Sequence, residues 1–393
     1  MTIRMSHAQE RRRLLGLATF ASASLVAASA SAATLTVGNG ATPCPNATYT
    51  TIQSAIDAAA PHDEVLVCSG TYTEQITIPA GKDGLAVRSV EPLAAVIQAP
   101  ASMTDPGDIV RINAAHGVAL AGFTIEGPLP DSLFCSTFPR TGIRVDGGGS
   151  AILRANRIVE IRAADVALRG CQNGIPILVG SQPEGEVGTA VIDHNTIETY
   201  EKNGVMVDNV GSSALVTGNV VVGDGPSQTV AQNGILISNG ASADVSANEV
   251  WGQVYSPSPL SSGIFLYLPG RVSAVGNIVH DADYGIVTVD ATDPVIRNNT
   301  VVACTADGID IDESTLGTSG GLVANNESHR NGYDGIYVSP LSANDSVTGN
   351  VMFGNAQLDA RDDSSGKGTA GTANTWAHDH CKTDNHGGQL CEP

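Results

Sequence analysis

Apolar residues recur along this chain in a short, repeated phrase. Seven times between residues 142 and 335 a Gly precedes a β-branched residue, one free position and another large residue, usually apolar. These copies begin at Gly142, Gly204, Gly234, Gly263, Gly285, Gly308 and Gly335, and a less regular eighth begins at Gly174. From Gly174 onward the copies are 22 to 30 residues apart. A period of this length predicts a solenoid of stacked coils rather than a globular core.

A second marker, an Asn just before an apolar pair, lies between the copies of the phrase. Its members are Asn156, Asn195, Asn219, Asn248, Asn277, Asn299, Asn326 and Asn350. Equivalent residues of adjacent coils stack about 4.8 Å apart when the strands are parallel. We therefore expect the Asn side chains to form a structural ladder at a turn. Within each phrase, we expect the apolar residues to point inward and the Gly to permit a tight corner.

The segment before the repeats combines a predicted helix with predicted strands. Residues 49–60 are predicted to form a short amphipathic helix that ends before Pro61. Its apolar face consists of Ile52, Ala55, Ile56 and Ala59. The strands predicted to follow are residues 64–68, 74–78, 84–90 and 95–98. A helix at this place covers the end of a solenoid, which otherwise exposes backbone donors and apolar side chains.

This segment resembles the opening of the pectin-lyase-like superfamily. The resemblance rests on Thr-Ile-Gln-Ser-Ala-Ile-Asp-Ala-Ala from Thr51, Asp-Glu-Val-Leu-Val from Asp63 and Gly-Thr-Tyr-Thr-Glu from Gly70. It implies the N-terminal cap and first coil of a right-handed parallel β-helix, with the repeats as further coils. The predicted fold class is all-β, a single-stranded right-handed parallel β-helix with an N-terminal capping helix. Because the superfamily mixes lyases, hydrolases, esterases, epimerases and non-catalytic proteins, the resemblance predicts no single activity.

Composition predicts three segments. Residues 1–32 are predicted to be a signal peptide, since a run of arginines from Arg11 precedes a short apolar stretch ending in small residues at Ala32. The paired arginines also fit a twin-arginine exporter. Residues 33–365 are predicted to be the β-helix domain with its cap, and residues 366–393 a polar C-terminal cap. We expect a secreted or periplasmic protein without a membrane span.

The seven cysteines and the charge agree with export. Proximity in the sequence predicts that Cys44 pairs with Cys68, Cys135 with Cys171 and Cys381 with Cys391. Cys304 is left over, and we expect it to be a buried, small hydrophobic residue. The formal net charge of -20 argues against nucleic acid as a partner. We expect a monomer.

Strand alternation predicts which residues face outward from the sheet that carries the phrase. The first outward row contains Arg144, Met206, Leu236, Phe265, Val287, Asp310, Tyr337 and, by extrapolation, Asp359. The second row contains Asp146, Asp208, Ser238, Tyr267, Val289, Asp312, Ser339 and Arg361. The face therefore changes from apolar and aromatic to acidic along the chain. The long inserts at residues 181–188 and 255–260 are placed to cover it, so an open groove and a covered stripe are both alternatives.

The two parts of this face predict different roles towards a carbohydrate. Aromatic rings stack on sugar rings, and carboxylates hold hydroxyl groups, Ca²⁺ or a proton. The predicted substrate-binding residues are Arg144, Met206, Phe265 and Tyr267. The predicted catalytic residues are Asp310, Asp312, Tyr337, Asp359 and Arg361. No His or Cys spacing predicts a protein-bound metal, while Ca²⁺ is left open as a cofactor.

One stretch resembles polygalacturonases. The Asp-Gly-Ile-Asp that begins at Asp307 is similar to their first catalytic segment, although Thr-Ala replaces the preceding Asn-Thr. Asp334 lies one coil later, where that family has the second Asp of a pair, but Tyr333 replaces the first. The family's later Gly-His-Gly and Arg-Ile-Lys segments have no counterpart, which makes this activity a minor alternative.

Two function classes fit these observations. The first is an exported protein that binds an extracellular, uronate-type polysaccharide and cleaves or epimerises it, as a lyase, glycoside hydrolase or epimerase. The second is a non-catalytic β-helix of the cell surface or envelope with a binding or structural role. The aromatic-to-acidic face favours the first class, and the lack of a complete catalytic motif favours the second.

Overall fold

Strands that follow one another along the chain belong to different sheets, and each pairs in parallel with its counterpart in the next coil. This is a parallel β-helix, and the predicted all-β, right-handed fold is confirmed. The computed structural model describes residues 32–40, 44–135, 138–312 and 314–392. Except for Ala32, the predicted signal peptide lies outside the described residues.

The strands form three long parallel sheets, which are called sheets 1, 2 and 3. Sheet 1, which carries the Gly phrase, contains Ile76–Ile78, Val110–Asn113, Arg140–Asp146, Gly174–Val179, Asn203–Asp208, Asn233–Ser238, Ser262–Tyr267, Tyr284–Val289, Ile309–Asp312, Ile336–Val338 and Ala360–Asp362. Sheet 2 contains Thr34–Val37, Glu64–Val67, Ala86–Ser89, Val118–Ala121, Ser150–Arg154, Thr189–Asp193, Ser213–Thr217, Ser242–Ser246, Val272–Val275, Val295–Arg297, Leu322–Ala324, Ser346–Thr348 and Thr375–Ala377. Sheet 3 contains Gly70–Thr73, Ala95–Gln98, Thr124–Glu126, Arg157–Ile161, Thr196–Tyr200, Val220–Ser227, Glu249–Tyr255, Ile278–His280, Thr300–Val302, Glu327–His329 and Val351–Phe353.

The Gly of the phrase is required by lack of space rather than by a special backbone angle. A Cβ added to Gly234 would lie 2.3 Å from Val250 Cγ1 and 2.5 Å from the carbonyl oxygen of Gly263 in the next coil. The Gly therefore faces the core, as does the β-branched residue that follows it. Ile235 and Ile237 are fully buried. Two successive inward positions break strict alternation, so the residue before each Gly faces outward.

The predicted Asn ladder is present. In each rung the Asn Oδ1 accepts from the side-chain amide of the preceding Asn, as from Asn195 to Asn219 at 3.0 Å and from Asn326 to Asn350 at 2.9 Å. All eight asparagines are buried. The ladder ends on an acid, because Asn350 Nδ2 donates to Asp379 Oδ1 at 2.8 Å.

The helix at the N-terminal end is shorter than predicted, Ile52–Ala58, and its predicted apolar face is buried. A carboxylate from a later coil completes its N-terminus: Glu74 accepts from the backbone N–H groups of Ile52 at 2.8 Å and Gln53 at 3.0 Å. Short 3-10 turns lie at Asp131–Leu133, Val166–Cys171, Gln182–Glu184 and Thr369–Gly371.

The polar C-terminal segment adds a last strand to sheet 2. Trp376 is buried against the core, and its indole N–H donates to Asp362 Oδ2 at 2.8 Å. The three predicted disulfides are present: Cys44 with Cys68, Cys135 with Cys171 and Cys381 with Cys391. Cys304 is free and buried, as predicted, and burial raises the pKa of its thiol to about 12.

Candidate functional site

The register of sheet 1 fixes the rows of outward side chains. The first row is Arg111, Arg144, Leu178, Met206, Leu236, Phe265, Val287, Asp310, Tyr337 and Arg361. Arg361 therefore stands where Asp359 was expected, and the placement of Asp359 in this row is wrong. Asp359 is buried and accepts from Asn355 Nδ2 at 3.0 Å and from the backbone N–H of Lys382 at 3.0 Å. These contacts make it a structural turn residue.

Arg144, a predicted substrate-binding residue, is fully buried. Its guanidinium is bound by Glu184 at 2.8 Å, from the Gln182–Glu184 turn that folds back over the strand, and lies 3.3 Å from Asp108. Of the two alternatives that the sequence left open, the covered stripe applies at Arg144, because the 181–188 insert covers this part of the face, and its burial argues against the predicted role in binding substrate.

Two further residues complete what we call the arginine network: Arg111, Arg144, Asp108, Asp146 and Glu184. Asp146 is buried and accepts from the Arg111 guanidinium at 2.7 Å. Burial raises the pKa of Asp108 to about 6, although the neighbouring Arg144 opposes this. With two guanidinium groups facing three carboxyl groups, the network is close to charge-compensated.

The middle of the face is half-covered. Met206, Phe265 and Tyr267 are partly buried, and the rings of Phe265 and Tyr267 lie 5.7 Å apart in a tilted arrangement. The 255–260 insert is anchored beside them by Asp283, whose buried carboxylate accepts backbone N–H groups at both ends of the insert. Groove and cover therefore occur in different parts of one face.

Beyond Val287 the face becomes acidic. We define the acidic cluster as Asp307, Asp310, Asp312 and Asp334, which lie on two successive strand regions of sheet 1. Asp307 and Asp334 come directly before a Gly of the phrase, and Asp307 Oδ1 accepts from the backbone N–H of Asp334 at 2.7 Å. Among the predicted catalytic residues, Asp310 and Asp312 belong to this cluster.

Asp310 is the least compensated member of the cluster. Its side chain is 5% exposed, and Oδ1 is buried without a hydrogen-bond partner. Burial, followed by repulsion from Asp312, Asp307 and Asp334, raises its pKa well above the usual range. Burial also raises the pKa of Asp307 to about 6. The raised pKa favours the protonated form of Asp310 beside the other carboxyl groups.

Tyr337 and Arg361, also predicted to be catalytic, lie beside the cluster. The Arg361 guanidinium carbon is 5.2 Å from the centroid of the Tyr337 ring. Arg361 is bound by Asp363 at 2.6 Å and lies 3.7 Å from Asp334. Burial and the negative charges of Asp363 and Asp310 raise the pKa of Tyr337 to about 12. The guanidinium is thus engaged within the protein, and the phenol stays protonated.

A depression of about 210 Å³ opens next to Asp310. Its walls are formed by Leu260, Ser262, Phe265, Tyr284, Val287, Val289, Asp310 and Asp312. Burial and the nearby acids raise the pKa of Tyr284 to about 12. The depression joins the aromatic middle of the face to the acidic cluster.

The chain just after Asp312 is held by Asp290. Its carboxylate accepts from the backbone N–H groups of Ser314, Leu316 and Gly317 at 3.1, 3.0 and 2.8 Å. These bonds hold its pKa well below the usual range. Asp290 therefore acts as a structural acid that anchors the loop bordering the cluster.

The carboxylates of the cluster do not form a ready metal site. Among the described residues, Cys381, Asp384 and Cys391 are the one group of three possible ligands with atoms within 4.8 Å of one another. Two of these are joined as a disulfide. The geometry of the acidic cluster therefore supports proton transfer better than chelation.

Three neighbouring residues were not among the predicted site residues: Tyr284, and Asp307 and Asp334, which the sequence indicated only through the minor resemblance to polygalacturonases. All three directly precede a Gly of the phrase, and strict alternation assigns that position to the inside. The usable signal was polarity, because the corresponding residues of the neighbouring coils, Asn203, Asn233 and Ser262, are also polar. A row of polar residues before successive glycines indicates an outward row.

The family model "Right handed beta helix region" matches residues 184–357. No curated protein matches the chain by sequence. No helix in the described part of the chain is both long and apolar enough to cross a membrane.

Solved structures share the fold at low identity. The A-module of the mannuronan C-5 epimerase AlgE4 from Azotobacter vinelandii is 13% identical, with a TM-score of 0.53 over 85% of this chain and 94% of that one. XylC in complex with xylose is 11% identical, with a TM-score of 0.51 over 86% and 77%. The periplasmic alginate epimerase AlgG is 14% identical, with a TM-score of 0.45 over 76% of this chain. The match covers 64% of the length of AlgG.

Proposed function

We propose that this right-handed parallel β-helix is a protein of the pectin-lyase-like superfamily that is exported, binds a polysaccharide along sheet 1 and hydrolyses a glycosidic bond at the acidic cluster. The observation that carries this proposal is the Asp310 carboxyl group. It is buried, has an unpartnered oxygen, and borders a depression lined by aromatic and apolar residues.

Asp310 has the properties of a general acid. Burial and the neighbouring carboxyl groups raise the pKa of Asp310, which favours its protonated form, and a protonated carboxyl group can give its proton to the oxygen of a leaving sugar. Side chains with a strongly shifted pKa are found more often at functional sites than elsewhere in a protein.

Asp312 is placed to activate the attacking water. It lies two residues further along the same strand, about 6.6 Å away between Cα atoms. Both side chains line the depression. Carboxyl groups roughly 6.5–9.5 Å apart are typical of glycosidases that invert the anomeric centre, because a water fits between them. This range applies to carboxyl groups rather than to Cα atoms, so the support for Asp312 as the base is that its side chain lines the same depression as Asp310.

The site is less suited to elimination or epimerisation of a uronate. Both reactions need a base that removes a proton beside the sugar carboxylate and a cation that stabilises the resulting charge. The phenols of Tyr284 and Tyr337 have a pKa raised to about 12. The nearby cation, Arg361, is bound by Asp363. Hydrolysis therefore makes better use of the groups present.

Export is supported by two independent features. The N-terminal sequence predicts a signal peptide, and three disulfides are formed, which is typical of proteins that fold in an oxidising compartment. We propose that the protein reaches the periplasm or the exterior by this signal.

The test is to incubate the chain from residue 33 onward with neutral and uronate polysaccharides and to follow reducing ends and unsaturated ends separately. We expect reducing ends without unsaturated ends. Asp310→Asn should lower the rate about 10²–10⁴-fold, since a general acid contributes that much. Asp244→Asn, an exposed acid on sheet 2, is the matched control and should leave the rate unchanged. Binding without turnover on the whole panel would instead establish a non-catalytic binding protein.

A further inference from the structure

We propose that the depression beside Asp310 accepts an uncharged sugar ring, so that the substrate is a neutral glycan rather than a polyuronate. This inference rests on the proposed function of the acidic cluster, and it specifies the substrate class. The arguments come from the walls of the depression, from the unpartnered carboxyl oxygen, and from the distribution of cations on sheet 1.

The walls match the two kinds of surface on a pyranose. Leu260, Phe265, Val287 and Val289 supply apolar and aromatic surface for the C–H face of the ring. Ser262 and Tyr284 supply hydroxyl groups, and Asp310 and Asp312 supply carboxyl groups, for the ring hydroxyls. The volume of about 210 Å³ suits a single ring at this point, with the rest of a chain lying along the half-covered face.

The unpartnered oxygen of Asp310 can be paired by a neutral group of the ligand that donates or accepts a hydrogen bond. Asp310 is only 5% exposed, and its Oδ1 is buried without a hydrogen-bond partner. A buried polar atom of this kind costs stability until a partner arrives. A sugar hydroxyl satisfies it in either protonation state, because a hydroxyl both donates and accepts. A carboxylate can only accept, so it would pair with Asp310 only when Asp310 is protonated.

The cations of this face are already engaged. In the described outward rows of sheet 1, the arginines are Arg111, Arg144 and Arg361. Arg111 is bound by Asp146, Arg144 by Glu184 and Arg361 by Asp363, at 2.7, 2.8 and 2.6 Å respectively. A uronate carboxylate in the depression would therefore lie beside Asp312, while the nearby Arg361 is already bound by Asp363.

The penalty for such a substrate is large. Like charges about 5 Å apart in a partly buried site repel by more than the amount that changes a binding constant tenfold. We expect uronate oligosaccharides to bind at least about tenfold more weakly than neutral oligosaccharides of the same length. This ratio should increase as the ionic strength is lowered, because screening becomes weaker.

The experiment measures binding to the Asp310→Asn variant, which separates binding from turnover. Calorimetric titration uses neutral xylo-, gluco- and galacto-oligosaccharides, and oligogalacturonate and oligomannuronate with and without CaCl₂. We expect at least one neutral series to bind and both uronates to bind more weakly.

Two wall variants locate the binding. Phe265→Ala should weaken neutral binding at least about tenfold, since stacking surface is lost. Leu260→Ala changes a side chain that is 61% exposed, so it tests the same wall with little risk to folding, and should weaken binding severalfold. Leu215→Ala, a 41% exposed residue on sheet 2, is the matched control and should bind as the parent does.

Each outcome decides one of the two proposals. Tighter binding of a uronate than of every neutral oligosaccharide, with or without Ca²⁺, overturns the inference, as does neutral binding that ignores Phe265 and Leu260, or no binding at all. If the wild type cleaves a polyuronate and Asp310→Asn does not, hydrolysis stands and the neutral substrate is rejected. If neutral glycans bind at this wall but are never cleaved, the substrate class stands and the catalytic proposal is rejected.

Discussion

Two regions of sheet 1 bury acidic side chains in the same outward rows and treat them in opposite ways. In the arginine network, Asp108, Asp146 and Glu184 surround Arg144 and Arg111 under a folded-back turn. In the acidic cluster, four aspartates lie together, and Asp310 has an oxygen without a partner. Arg144 and Asp310 occupy the same row of the repeat, so the position in the row does not determine whether a buried charged group is paired.

The difference shows how to separate structural from functional acids in a repeat protein. Removing one partner of a buried ion pair destabilises the folded protein, because the other charge is left buried alone. An unpaired buried carboxyl group already destabilises the native fold. In this fold a turn or a basic residue from another coil can cover or neutralise a buried carboxyl group, as in the arginine network. The cluster is compensated only in part, because Arg361 lies 3.7 Å from Asp334 but is bound by Asp363, and Asp310 borders an open depression.

The strongest way to test this comparison is to break the arginine network. Arg144→Ala leaves the buried Asp108 and the partly buried Glu184 without their main partner, and we expect the free energy of unfolding to fall by about 3–5 kcal/mol. Denaturant unfolding of the chain measures this loss. Arg271→Ala removes an arginine that is 75% exposed and should change the free energy by less than about 0.5 kcal/mol. Equal effects of the two changes would contradict a structural role for the network.

The sequence predicted the fold because its markers report directly on packing. The Gly of each phrase is needed where the next coil passes within van der Waals distance, and each Asn of the ladder satisfies buried backbone groups. These requirements recur in every coil, so the pattern is visible without a structure. The signal is lost at the last coil, where Ala360 replaces the Ile of the phrase, and this is why Asp359 was placed in the row that Arg361 occupies.

The site was predicted less completely, because its residues depend on contacts between distant segments. Asp310, Asp312 and Tyr337 follow from alternation along a strand. The burial of Arg144 depends on Glu184, 40 residues later in the chain. Alternation did not place Tyr284, Asp307 and Asp334 on the outward face, because the inward-facing Gly breaks it, and only the resemblance to polygalacturonases indicated the two aspartates. The raised pKa of Asp310 results from burial and from its acidic neighbours together, which strand periodicity does not reveal.

The pH dependence of stability gives a second, smaller test. Burial raises the pKa of Asp307 to about 6, and burial and the neighbouring acids raise the pKa of Asp310 well above its ordinary range. For such groups the stabilisation by the bound proton is complete below the unfolded pKa near 4 and is lost as the pH rises through the folded pKa. We therefore expect the free energy of unfolding to fall between pH 5 and pH 8.

Other buried acids contribute to the same trend, so the comparison of variants isolates the cluster. Replacing Asp307 by Asn should remove about 1–2 kcal/mol of the difference between pH 5 and pH 8, because this titration is lost. Denaturant unfolding at both pH values measures it. Asp244→Asn, on the exposed surface of sheet 2, should leave the slope unchanged. A slope that does not change in Asp307→Asn would mean that the cluster is compensated after all.

The smallest effect is expected at the end of the Asn ladder, where a buried acid lies far from any depression. Asp379 accepts from Asn350, but its Oδ2 is buried without a partner, and burial raises its pKa to about 6. In every preceding rung the amide also donates to a backbone carbonyl of the coil before, as Asn350 does to Val323 at 2.9 Å. Val347 pairs with Val323 in register, so Asp379→Asn should extend the ladder onto the Val347 carbonyl.

We expect Asp379→Asn to raise the free energy of unfolding at pH 8 by about 1 kcal/mol, the worth of one hydrogen bond and the removal of an unpartnered carboxylate oxygen. At pH 5 the gain should be smaller, because the acid then carries a proton. Hydrolytic activity should be unchanged, in contrast to Asp310→Asn. If activity fell as well, an unpaired buried acid in this fold would not identify the reacting group, and the distinction between the two regions of sheet 1 would fail.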